Sequence, residues 1–221
     1  TRSYSVTGVQ TCAIPISEDK NEDEVLREKG IFKGWNKNII MSIFFMGITY
    51  FVFKFLRYSL DSWTPTAVFI SFGIKLENAG YISTLFDWIG FIGVLVAGLA
   101  SDRFFKSRRH QIILIMTIGL FVGFVFMAYV GTTSLLLFSI SLSAVGFMLM
   151  GPDSLLSGVG AIDVGGRKMA IVAAGVINGL GSIGPIFQEL IIGWLSKDDN
   201  FQTTFYLLVF MSLLGIVGTI Y

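Results

Sequence analysis

YFVFKFLRYSLDSWTPT, from Tyr50 to Thr66, is apolar enough to belong to a membrane-crossing helix, yet it carries Lys54, Arg57 and Asp61. A charged side chain near the centre of a bilayer costs roughly 2.5–3.5 kcal/mol on insertion scales. Such charges persist where they face a bundle interior or a wet cavity. At helical spacing Lys54, Arg57, Tyr58 and Asp61 fall on one face, a cationic and hydrogen-bonding stripe inside a membrane helix. A purely structural account is available, in which Arg57 and Asp61 at i, i+4 form an ion pair that fixes helix packing. It leaves Lys54 unexplained, and ionisable groups inside membranes are functional by default.

Working outward, the whole chain has the composition of a polytopic membrane protein. Of its 221 residues 53% are hydrophobic and only 14% charged, with a mean hydropathy of +0.73. The net charge of +1 says little, because the charges are segregated along the chain. The single cysteine, Cys12, excludes a disulfide framework or a cysteine-based metal site, and the single histidine, His110, stands in a basic loop without catalytic partners. No metal, cofactor or nucleic-acid partner is expected.

Six hydrophobic runs are predicted to span the bilayer as helices: Asn38–Thr64, Ala79–Ala100, Gln111–Val130, Ser134–Val159, Met169–Leu195 and Phe205–Tyr221. Each approaches or exceeds the ~20 residues a transmembrane helix needs. The runs are continuous rather than alternating, which excludes barrel strands. Lys20, Arg27, Lys29, Lys33 and Lys37 precede the first run; Arg103, Lys106, Arg108 and Arg109 follow the second; Arg167 and Lys168 follow the fourth. The opposite side has only Lys75 and Lys197, so the positive-inside rule places both ends of the chain in the cytoplasm.

The N-terminal portion divides in two. Val6 to Ile16, VTGVQTCAIPI, resembles the translation of a sequencing-library adapter, so residues 1–16 are set aside as an artefact and Cys12 with them. Residues 17–37 are a polar linker, acidic first and basic afterwards, and residues 38–221 are the six-helix unit. On this reading the sequence is a fragment of a longer protein.

Between the second and third runs lies GLASDRFFKSRR, in which Gly98, Asp102 and Arg103 precede the basic Arg108 and Arg109. This Gly-x-x-x-Asp-Arg pattern resembles the cytoplasmic loop signature of the major facilitator superfamily. LRYSLDSWTPT (Leu56 to Thr66), STLFDWIG (Ser83 to Gly90), AGLASD (Ala97 to Asp102), GPDSLL (Gly151 to Leu156) and GLGSIGP (Gly179 to Pro185) narrow the resemblance. In that order they are similar to the organophosphate:phosphate antiporters, which include glycerol-3-phosphate and hexose-6-phosphate transporters and eukaryotic sugar-phosphate exchangers. The similarity covers about residues 35 to 221 and is collinear with helices seven to twelve of a twelve-helix fold. It implies an all-α membrane protein, a six-transmembrane-helix bundle forming one half of a major facilitator fold. The other six helices would be its partner.

Residue by residue, the resemblance puts Arg57 where bacterial members bind substrate phosphate. Asp87 falls where they carry a transmembrane acid, usually glutamate. Lys54 matches a lysine of the eukaryotic exchangers, and its presence beside Arg57 departs from both patterns. Asp153 replaces an apolar or aromatic residue. Arginine suits phosphate because its planar fork donates two parallel hydrogen bonds and stays charged when desolvated. A phosphomonoester carries close to two negative charges at pH 7, which two or three cations roughly neutralise. The expected site is therefore Arg57, Lys54, Tyr58, Asp61 and Asp87. Asp61 and Asp87 would hold the cations when substrate is absent; alternatively Asp87 couples protons. Asp153 is a third such acid or faces a wet cavity mouth.

Gly151-Pro152 weakens the fourth run and is read as a gating point, as in broken transporter helices. For the Gly175–Gly184 run close packing accounts for the glycines nearly as well as bending, so gating is assigned only to Gly151-Pro152. The function implied is exchange of a phosphorylated metabolite for inorganic phosphate across the bilayer by alternating access. The alternative is a sugar-phosphate sensor of the same family. A membrane phosphatase or transferase would need a nucleophile with a base, or a metal cluster, and no such spacing is present.

Overall fold

The computed structural model describes residues 37–104, 109–196 and 201–220. Six α-helices are formed there: α1 Lys37–Phe72, α2 Leu76–Arg103, α3 Arg109–Tyr129, α4 Leu135–Leu155, α5 Ala161–Leu195 and α6 Gln202–Ile220. Each contains a stretch long and apolar enough to cross a membrane, and no strand occurs among the described residues. The chain is thus an integral, multi-pass membrane protein with the architecture of a six-helix half of a major facilitator transporter. The adapter-like run, Cys12 and the polar linker up to residue 36 lie outside the described residues.

Two boundaries differ from the sequence reading. The first helix does not stop at Thr64 but runs through Pro65 to Phe72. Proline lacks one backbone donor, yet a helix buried among neighbours continues past it when the freed carbonyl finds other company. The stop comes at Gly73, which takes φ +63° and returns its N–H to the Phe69 carbonyl at 3.0 Å. The second difference lies after the fourth helix. In place of a loop bearing Arg167 and Lys168, a π-helical segment, Leu156–Gly160, joins α4 to α5, whose helical backbone begins at Ala161. The side chains of 161–169 are outside the description. Gly160 meets Met46 and Leu180 meets Gly47, neighbours on α1.

Small residues set the helix pairings. Gly47 lies against Leu180 and Gly184 against the Phe51 backbone, so α1 and α5 run parallel. Gly90 with Met150 and Gly151 with Ala97 make α2 and α4 parallel, while Gly119 with Met148 and Gly123 with Val145 make α3 and α4 antiparallel. On α1, Thr49 meets Gly218 of α6, its hydroxyl donating to the Gly218 carbonyl at 3.2 Å. Helix α4 is the central element, with half of its spanning window buried, against 22% for the flanking α2 and α5.

The closest approach is Gly93 to α4, where a Cβ would fall on the Phe147 carbonyl. Gly93→Ala is therefore expected to force the two backbones apart and to destabilise the bundle by about 1–3 kcal/mol. Gly175→Ala has open space around it and should leave stability unchanged or slightly raised. Thermal unfolding of both variants in detergent checks this; equal melting temperatures would remove close packing as the reason for Gly93.

Candidate functional site

The charges of α1 meet their partners on α4 and α5. From α1, Arg57 donates through Nη1 to Oδ2 of Asp153 at 2.8 Å, and its Nε lies 3.7 Å from Oδ2 of Asp61. The second contact is the i, i+4 pair expected from spacing. The first is shorter and spans 96 residues of chain. Asp153 reaches Arg57 because it lies one helical turn beyond Met150, whose side chain packs on Gly90, on the α4 face that also carries Gly146. The pair is asymmetric in exposure: the Arg57 side chain is 37% accessible and that of Asp153 only 6%. One oxygen of that carboxylate, Oδ1, is buried without a hydrogen-bond partner.

One turn before Arg57, Lys54 is buried and takes different company. Its Nζ donates to Asn178 Oδ1 at 2.6 Å and to Ser182 Oγ at 2.8 Å, both on α5, and sits 5.1 Å from the centre of the Tyr50 ring. Neither acceptor is charged, so the ammonium is held in place without being neutralised by direct pairing. Ser182 in turn donates to the Asn178 carbonyl at 2.8 Å, one helical turn back. The parallel packing of α1 on α5 through Gly181 and Gly184 is what brings Asn178 and Ser182 within reach of Lys54.

The other expected site residues fall around this core. Tyr58 is 41% exposed on the neighbouring flank of α1. Asp87 of α2 is exposed and forms no ion pair with Lys54 or Arg57 among the described residues; its charge interacts with that of Asp61. Gly151 and Pro152 are buried inside α4, where a Cβ on Gly151 would strike Met116 and Ala97, so this glycine serves close packing. The helix survives Pro152 for one turn and then widens into the π segment. Of the loop motif, Gly98 is half-buried, Asp102 and Arg103 are exposed at the end of α2, Arg109 opens α3, and Arg108 lies outside the described residues.

A cavity of about 540 Å³ lies elsewhere, at the start of α1, with Met41, Phe45, Met46, Arg109 and His110 among its lining residues. It includes none of Lys54, Arg57 and Asp153. The chemically capable cluster is the other one: two cations and two acids on α1 and α4, braced by Asn178 and Ser182 of α5, with an accessible guanidinium at its edge. That arrangement can exchange a carboxylate for an incoming oxyanion at Arg57.

Sequence reasoning did not find Asn178 and Ser182. Nothing in an uncharged Asn or Ser on an apolar helix marks it as a lysine ligand, and only helix pairing identifies them. Asp153 did leave a signal, as an acid inside an apolar run, but the signal names no partner.

No protein-family model matches the chain. Among individual proteins it is 30% identical to the glycerol-3-phosphate transporter of Bacillus subtilis, an alignment covering 94% of this chain and 49% of that protein. It is 25% identical to sugar phosphate exchanger 3 of Xenopus laevis over 74% of this chain and 33% of the relative. A glucose-6-phosphate exchanger of Mus musculus is 27% identical over 73% of this chain, again matching 33% of the relative. The chain thus spans about half the length of the first relative and about a third of the other two.

Proposed function

Since this chain is a C-terminal half of a glycerol-3-phosphate/sugar-phosphate transporter-like protein, we propose that it carries half of a site through which a phosphorylated metabolite is exchanged for inorganic phosphate. The observation that carries the reading is Arg57, an intramembrane guanidinium that is 37% accessible and held by the buried Asp153 at 2.8 Å. A cation kept charged and presented at the edge of a bundle suits a phosphate dianion. Lys54, fixed by Asn178 and Ser182, supplies the second positive charge. In the empty site Asp153 and Asp61 hold Arg57, which disfavours stray monovalent anions. The reading is of a transporter and not an enzyme, with both ends of residues 38–221 on the cytoplasmic side as the basic loops require.

Alternating access in this reading uses α4. Pro152 removes one backbone hydrogen bond, and the π segment follows within a turn, so bending there moves Asp153 relative to Arg57. The partner is a complementary six-helix half that covers the accessible edge of Arg57.

Proteoliposomes holding this chain together with the N-terminal half of the Bacillus relative are expected to exchange internal for external radiolabelled phosphate. Glycerol-3-phosphate or glucose-6-phosphate should compete. The chain alone should exchange none. Robust exchange by the chain alone would refute the two-half reading. Binding of the sugar phosphates without any exchange by the pair would refute transport and favour sensing.

A further inference from the structure

Asp153 owes its charge to a cation that substrate also needs. Its side chain is 6% exposed, Oδ2 rests on Arg57 Nη1 at 2.8 Å, and Oδ1 has no hydrogen-bond partner. Lys54 is committed to Asn178 and Ser182 and forms no ion pair with Asp153. The ionisable groups around Asp153 are Tyr50, Lys54, Arg57 and Asp61 on α1. Asp87 on α2 interacts with Asp61 rather than with Asp153. Helix α3, also packed on α4, brings Met116 to Gly151, and its ionisable residues Arg109, His110 and Tyr129 lie at its ends. Among the described residues the other cation near Asp153 is Lys54, and Asn178 and Ser182 hold it away from the carboxylate.

A dianion on Arg57 would put two acids and a doubly charged phosphate against two cations. Of the two acids Asp61 is 32% accessible, whereas Asp153 is only 6% accessible. A buried carboxylate that loses its cation is neutralised rather than left charged. We propose that Asp153 takes up a proton when a phosphate group binds Arg57, so that the site binds its anion together with a proton; this rests on Arg57 being the phosphate ligand.

The step balances. An Arg57 N–H swings from Asp153 Oδ2 to a phosphate oxygen, and an O–H bond forms on Asp153 as one O–H bond of a hydronium ion or buffer acid at the accessible edge breaks. The conjugate base, water or the deprotonated buffer, returns to the solution. On release of the anion the proton leaves and the Arg57–Asp153 pair re-forms. Asp153 thereby sets the charge carried by each half-cycle, and its position on α4 beside Pro152 couples that charge to the bending of the helix.

Infrared difference spectra on adding inorganic phosphate to the same proteoliposomes, at a mildly alkaline pH where the ligand is a dianion, test this. The phosphate stretching bands report binding, and the carbonyl stretch of a carboxylic acid reports the proton. Wild type should show both, the carbonyl band shifting down in heavy water. Asp153→Asn should bind phosphate without the band, and Asp61→Asn should keep it. Arg57→Gln should show neither. Phosphate binding without a carbonyl band in wild type, its persistence in Asp153→Asn, or its loss in Asp61→Asn overturns the inference while leaving the phosphate site intact. Binding that is unchanged in Arg57→Gln overturns the site itself.

Discussion

Arg57→Lys is expected to weaken phosphate binding by about 2–3 kcal/mol, or roughly 30- to 150-fold. Lysine keeps the positive charge but loses the planar fork. In the structure one arm of that fork is spent on Asp153 at 2.8 Å, while Nε lies 3.7 Å from Asp61 without a hydrogen-bond partner. An ammonium on a shorter stem keeps one of those contacts and gives up the parallel pair that matches a phosphate. Titrating inorganic phosphate into wild type and variant, each reconstituted with its complementary half, measures the effect. Removing the acid at Asp61 should not restore affinity. A stable Arg57→Lys protein with unchanged affinity would take Arg57 out of the site and leave it as a packing residue.

The contrast between Asp61 and Asp153 shows how far a sequence reaches here. Helical spacing correctly places Asp61 beside Arg57, because i, i+4 geometry is local and needs no knowledge of the fold. The stronger contact lies 96 residues away and depends on how α1 and α4 lean on α2, which hydropathy does not encode. The six spans are legible for the opposite reason, since bilayer thickness imposes a length and a polarity on each. Their ends are less so. Pro65 reads as a stop, yet its neighbours carry the helix on until Gly73 provides the left-handed turn. Gly151-Pro152 reads as a breaker, and the glycine proves to be filled space while the irregularity appears one turn later. In the Gly175–Gly184 run, where packing and bending were nearly matched, Gly181 and Gly184 pack on Tyr50 and on the backbone at Phe51, whereas a Cβ added at Gly175 or Gly179 would meet open space.

Arg57→Ala should cost the bundle more than any single change at its acids. Truncation leaves Asp153 buried, with both oxygens unpartnered. Breaking a fully buried ion pair by removing one partner costs about 3–5 kcal/mol, and the 37% exposure of Arg57 moves the expectation to the lower end, about 3 kcal/mol. The double change Arg57→Ala with Asp153→Ala removes the stranded carboxyl group and should recover most of that loss, because an apolar pair at this depth needs no desolvation. Arg57→Ala with Asp61→Ala should not, since it still leaves Asp153 buried and unpaired. Thermal unfolding of the three variants in one detergent separates the partners. Recovery by the Asp61 change instead of the Asp153 change would return the structural role to the local pair. It would leave Asp153 without the hold on Arg57 that the exchange of carboxylate for phosphate requires.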